Sequence, residues 1–120
     1  MISRFSANIL TDSSGNATVY VGPHGLSGRI HAIKITNTDL ATPTFTITGE
    51  KTGVPILVKT SAVTAWFYPR VIPNKNGDGA AFTDVTAGIH VLEERIKVVV
   101  ANGGSAKNSS IEIWVDDGRT

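Results

Sequence analysis

The chain has no cysteine in 120 residues, which removes disulfides, thiolate nucleophiles and zinc–thiolate sites together. That absence fits a reducing compartment. Charge is also sparse: acidic and basic residues make up 18% of the chain, the net charge is +1, and no basic block occurs. A nucleic-acid partner is therefore not expected, since such proteins gather Lys and Arg on one face. No apolar run approaches the roughly 18 residues of a membrane span. The start, Met1-Ile-Ser-Arg-Phe5, lacks the apolar centre of a signal peptide, so no membrane partner and no export are expected. Helical periodicity is not sustained anywhere, and there is no internal repeat or low-complexity linker. Residues 1–120 read as one domain, large enough to hold a core.

What is present is alternation with a period of two, the mark of a strand with one buried face. Ile96, Val98 and Val100 alternate with Lys97 and Val99. Ile111, Ile113 and Val115 alternate with Glu112 and Trp114. Asn102-Gly-Gly104 lies between the two runs and tolerates positive φ, so the pair reads as a hairpin. A first hairpin is read from Arg4–Leu10, with Phe5, Ala7 and Ile9 on one face, and Ala17–Val21. Gly28–Thr36 reads as a longer strand whose apolar set changes face, from Ile30 and Ala32 to Ile33 and Ile35. Such a change signals a bulge or burial on both sides. Thr44–Thr48 alternates cleanly, with three threonines on its polar face, and Val54–Lys59 follows as a strand after a turn.

Thr64–Arg70 concentrates aromatics, and Pro69 and Pro73 reduce this part to an interrupted edge strand. Residues 74–79 read as a loop and residues 80–85 as a brief pairing. Residues 89–94 are the one place where a helical turn fits. Eight or nine short strands at about ten-residue spacing give an all-β class, an antiparallel two-sheet sandwich. A jelly roll is favoured over an immunoglobulin-like sandwich, because the Cys–Trp–Cys spacing of the latter is missing.

Catalytic patterns are weak. His24, His31 and His90 have no second ligand at metal spacing, so no metal is expected. The segment from Asn74 to Gly79 resembles a calcium loop faintly. Lys75 places a positive charge within it, and no acidic residue follows where the bidentate Glu belongs. Glu93-Glu94 and Asp116-Asp117 are neighbours on an extended chain, so each doublet points to opposite faces and reads as solvated. No Gly-x-Ser-x-Gly elbow occurs, and the glycines of residues 22–28 lack the Lys-Ser/Thr of a phosphate loop. The expectation is a protein that is not an enzyme and holds no cofactor.

The site-like features are aromatic. Trp66-Phe-Tyr-Pro-Arg70 places consecutive rings on opposite faces of a strand, so one enters the core while another faces out. Trp66, Tyr68 and Arg70 are residue types enriched in protein–protein contacts. Val99 and Trp114 read as sharing the outward face of the last hairpin. Phe5 belongs to a segment, residues 1–5, that reads as an arm able to reach a neighbour. Together Phe5, Trp66, Tyr68, Arg70, Val99 and Trp114 are the expected partner-binding residues. The aromatics also suit a carbohydrate-binding module, because ring faces stack on sugars.

In style the whole chain resembles small structural proteins of tailed bacteriophages, most closely the cement, or decoration, proteins of capsid shells. The residues that carry this are Ile2-Ser-Arg-Phe-Ser-Ala-Asn8, the threonine-rich strand Thr44–Thr48, and Arg95–Lys107 leading into Ile111–Val115. The resemblance implies a jelly-roll or sandwich subunit, often trimeric, made in the host cytoplasm. It would bind the major capsid protein where capsomers meet on the outer surface of the virion. A phage tail or head-completion protein is the neighbouring alternative.

Overall fold

Each block of alternating apolar residues becomes a strand. The computed structural model describes residues 1–71, 77, 79–81 and 86–117, and every regular element among them is a strand. In chain order these are β1 (Ile2–Leu10), β2 (Ala17–Val21), β3 (Gly28–Asn37), β4 (Thr44–Gly49) and β5 (Pro55–Lys59). There follow β6 (Ala65–Phe67), β7 (Arg70–Val71), β8 (Ala87–Gly88), β9 (His90–Val91), β10 (Ile96–Ala101) and β11 (Asn108–Asp116). All pairings between them are antiparallel. The all-β antiparallel class read from the sequence is the class observed. The expected helical turn at residues 89–94 is instead β9 and a bend, with Glu93 in a left-handed conformation. The readings of residues 74–79 and 80–85 fall mostly outside the described residues, as does the end of the polar tail.

Two sheets enclose one core. The first has the order β1-β11-β3-β6, with β9 also on β3, and the second has the order β2-β10-β4-β5. Ile9, Ile33, Ile35, Ile111, Ile113 and Val115 from the first sheet meet Val21, Phe45, Ile47, Ile96, Val98 and Val100 from the second. Each such side chain, fully buried, is worth about 1.5–3 kcal/mol of transfer free energy. β-branched residues dominate because a pleated, half-buried surface suits them.

The strand faces follow the sequence, but two of the expected pairings do not. β10 pairs with β2 and β4, whereas β11 pairs with β1 and β3, so the last two strands are not a hairpin. The same holds for β1 and β2, which lie in different sheets. In both cases consecutive strands face each other across the core instead of lying side by side. Their connecting loops then meet. The Gly103 N–H donates to the Gly15 carbonyl at 2.9 Å, and the Thr11 N–H donates to the Lys107 carbonyl at 3.0 Å. The buried Thr11 hydroxyl donates to the Gly104 carbonyl and accepts from the Lys107 N–H at 2.8 Å. Gly15 has φ +83°, and a Cβ there would stand 2.9 Å from the Gly104 nitrogen. β4 and β5 do form a hairpin.

Of residues 1–5, read as an arm, residues 2–5 are laid down as the first half of β1. They pair with β11 in a ladder that runs unbroken from Ile2↔Asp116 to Leu10↔Asn108. The change of face expected in β3 is a bulge, since Trp114 pairs with Ala32 but Val115 pairs with Ile30. His31 is the extra residue. Beyond it Ala32 turns outward while Ile33 and Ile35 turn into the core.

Candidate functional site

The bulge shapes the outer face of the first sheet. Ala32 is 3% exposed yet is not part of the central core. It lies in the floor of a shallow depression shared with Ile2, His31, Trp66, Tyr68 and Trp114. Trp114 comes from β11, opposite Ala32 on one side and Arg4 on the other. Trp66 comes from β6, opposite Lys34 of β3. The two indole rings have centroids 4.9 Å apart and planes tilted by 32°. That distance lies in the range of a tilted aromatic pair, favourable beyond simple burial.

Trp66 remains 48% exposed and Tyr68 60% exposed. Charge lies around this apolar surface. The Lys34 Nζ stands over the Trp66 ring, 5.5 Å from its centroid, in cation–π range. Arg4 pairs with Glu112 at 3.3 Å, and Arg29 with Asp116 at 3.8 Å. The result is an aromatic centre with a charged margin on a firmly bonded sheet.

Three of the six expected contact residues meet here, namely Trp66, Tyr68 and Trp114. The other three do not join them. Val99 lies on the outer face of the second sheet, between Thr18 and Thr46, so it and Trp114 mark opposite outer faces. This follows directly from β10 and β11 occupying different sheets. Arg70 is exposed on β7, and its guanidinium donates to the adjacent Pro69 carbonyl at 3.1 Å. Phe5 turns inward and packs half-buried against the core. Ile2, Ala32 and Lys34 are site residues that the sequence reading missed. The face change in Gly28–Thr36 was the available signal, because it puts an apolar residue outside.

A second polar cluster lies at the turn joining β4 to β5. Glu94, read as solvated, is fully buried. Its Oε1 accepts from the N–H groups of Lys51 at 2.9 Å and Thr52 at 3.0 Å, and its Oε2 accepts from the Thr52 hydroxyl at 2.7 Å. Beside it the Arg95 guanidinium pairs with Glu50 and lies over the Tyr20 ring, 4.1 Å from the centroid. Burial pushes the Glu94 carboxyl up, but the donors of Thr52 and Lys51 outweigh it, so the group titrates below its ordinary value. The hydrogen bond from Arg95 likewise holds Glu50 low. This cluster fixes a turn, and among the described residues no group of three or more His, Asp or Glu is placed to hold a metal ion.

Both carboxyls are depressed in the folded state. Their contribution is therefore complete above the unfolded value and is lost as pH falls through the folded one. The urea midpoint should be flat above about pH 5 and fall progressively below about pH 4. Glu94→Gln should lower the midpoint at neutral pH and flatten the acid slope. An unchanged slope in that variant would show that the acid loss arises elsewhere.

No protein-family model matches the chain, and no curated protein or solved structure matches it either.

Proposed function

We propose that the chain is a non-enzymatic structural subunit that docks on an assembled protein shell, a cement protein on the outer surface of a tailed-phage capsid. The observation that carries this reading is the exposed surface of Trp66, Trp114 and Tyr68 with its charged margin of Lys34, Arg4 and Glu112. An apolar centre inside a polar rim is the layout of a protein–protein contact, and Trp and Tyr carry much of the affinity in such contacts. The partner is the major capsid protein, and the location is the outside of the virion.

Strand order supports a jelly-roll reading. Two four-stranded paths, β1-β11-β3-β6 and β2-β10-β4-β5, are linked by a chain that crosses repeatedly from one sheet to the other. Jelly rolls recur in viral capsid and lectin domains. A fold does not assign a function, so the weight rests on the surface.

Carbohydrate binding is the second reading, favoured by three aromatics on one face. It ranks lower because Trp66 already spends ring area on Trp114 and Lys34, which leaves less free face for a pyranose. The deciding experiment adds the purified chain to capsid shells stripped of accessory proteins and locates it in the virion by cryo-electron microscopy. Saturable binding, with density on the outer capsid surface, is expected. Binding to insoluble polysaccharide but not to shells would replace this reading with the lectin one. Density confined to the tail or neck would make the chain a tail or head-completion protein.

A further inference from the structure

The free edge of β1 carries a second inference; the edge shares Ile2 with the aromatic depression, but the inference holds whatever that surface binds. β1 is nine residues long and contains no proline, and its ladder with β11 has no bulge. It is the outermost strand of its sheet. Monomeric proteins normally shorten, kink or cover such an edge, because its unpaired backbone groups recruit another strand. The other edges are shorter or interrupted. β2 has five residues and β6 three, and β5 begins at a proline and shifts register against β4.

The hydrogen bonds at the two ends of β1 show which groups are free. The Asp117 N–H donates to the Met1 carbonyl, and the Thr11 N–H donates to the Lys107 carbonyl. In an antiparallel ladder the bonded residues alternate, so odd-numbered residues of β1 bond to β11. The N–H and C=O groups of Ile2, Arg4, Ser6, Asn8 and Leu10 therefore point to the open side. Their side chains lie on the outer face, where Ile2 is 49% and Leu10 63% exposed.

We propose that the occupant of this edge is β1 of a second copy, paired antiparallel about a two-fold axis at Ser6. In that register all nine residues find partners. Ile2 faces Leu10 of the second copy, so the two exposed apolar side chains at the ends of the strand cover each other. Arg4 faces Asn8, which avoids setting two cations opposite each other. On the inner face Phe5 faces Ala7, large against small, which buries more of the half-covered Phe5. The bonded pairs are those of the five even residues, which exchange about ten hydrogen bonds. That is the number in a typical protein–protein interface.

The two sheets become one continuous sheet across the axis. The two aromatic surfaces then lie on the same face, with the Trp114 positions about 20 Å apart from strand spacing and rise and the Trp66 positions farther out. The assembly is a dimer, in place of the three-fold symmetry that the phage resemblance implies.

The test uses the purified full chain without shells, so it succeeds or fails apart from the shell-binding reading. Sedimentation should give a concentration-dependent dimer. Ser6→Lys places like charges across the axis and should raise the dimer dissociation constant at least about tenfold. Ser6→Pro removes a donor that the free chain leaves unbonded, so it should do the same. Circular dichroism melts of the diluted variants verify that both still fold. Since the chain lacks cysteine, Ser6→Cys should cross-link on oxidation, the paired Cα atoms being about 5.5 Å apart. Asn8→Cys faces Arg4 and should not. A strict monomer, a trimer, an oligomer that both Ser6 variants leave intact, or equal cross-linking of Asn8→Cys would each overturn the proposal.

Discussion

Glu94→Ala should destabilise the protein by about 3 kcal/mol, because buried donors left without an acceptor cost about 1–3 kcal/mol each and water recovers part of that. For a domain of this length the melting temperature should fall by roughly 10 °C. The carboxylate is the shared acceptor for two N–H groups and one hydroxyl of the β4–β5 turn, so its removal releases the whole turn. Gly49→Ala probes the same contact from the other side. Replacing a strand glycine by alanine ordinarily stabilises by about 0.5–1 kcal/mol. Here an added Cβ would stand 2.2 Å from the Glu94 Oε1 and 2.9 Å from the Thr52 hydroxyl. The substitution should therefore destabilise, and the double variant should lose less than the sum of the two, since the vacated space admits the methyl. Urea unfolding of the three variants checks this. Strict additivity would mean that the turn relaxes away from Glu94 without cost.

Trp66→Ala should weaken binding to stripped shells by about thirty-fold or more, equivalent to the roughly 2 kcal/mol of an interface hot spot. Its melting temperature should change little, because the ring is half exposed and rests on the surface rather than in the core. Trp114→Ala should weaken binding and also lower stability, because it uncovers Ala32. Two further variants test whether the effect belongs to this face. Arg70→Ala and Val99→Thr alter expected contact residues that lie elsewhere, and both should bind like the native chain. The measurement is a co-pelleting isotherm for each variant. Native affinity in Trp66→Ala, or an equal loss in Val99→Thr, would place the contact on another surface.

The sequence made the faces of the strands legible, but not their partners. Alternation records that Ile96, Val98 and Val100 are buried, and the same pattern arises whether the next strand lies beside or opposite. The turn residues Asn102-Gly-Gly104 are equally uninformative on this point. Positive φ at Asn102 and Gly104 serves a crossing between sheets as well as a hairpin. The aromatics were visible as surface residues, but their grouping depends on β6 pairing with β3 and on the bulge at His31. Only the bulge left a trace in the sequence. Glu94 was misread because its partners, Lys51 and Thr52, are more than forty positions away in the chain, and adjacency to Glu93 gave no hint of them.

The strand order also governs when the protein can be made. β10 lies between β2 and β4, and β11 lies between β1 and β3, so strands that come late in the order of the fold are central ones. Until they emerge, β1 and β2 have no neighbour in either sheet. Pairing β1 with β11 then closes a loop of about a hundred residues, a step of high contact order that places folding in the millisecond-to-second range. Nascent chains therefore carry the first strands unpaired, with their edges open to one another, until β10 and β11 have emerged. Any chain that stops before Ile96 would remain in that state, held in solution by chaperones or lost to aggregation.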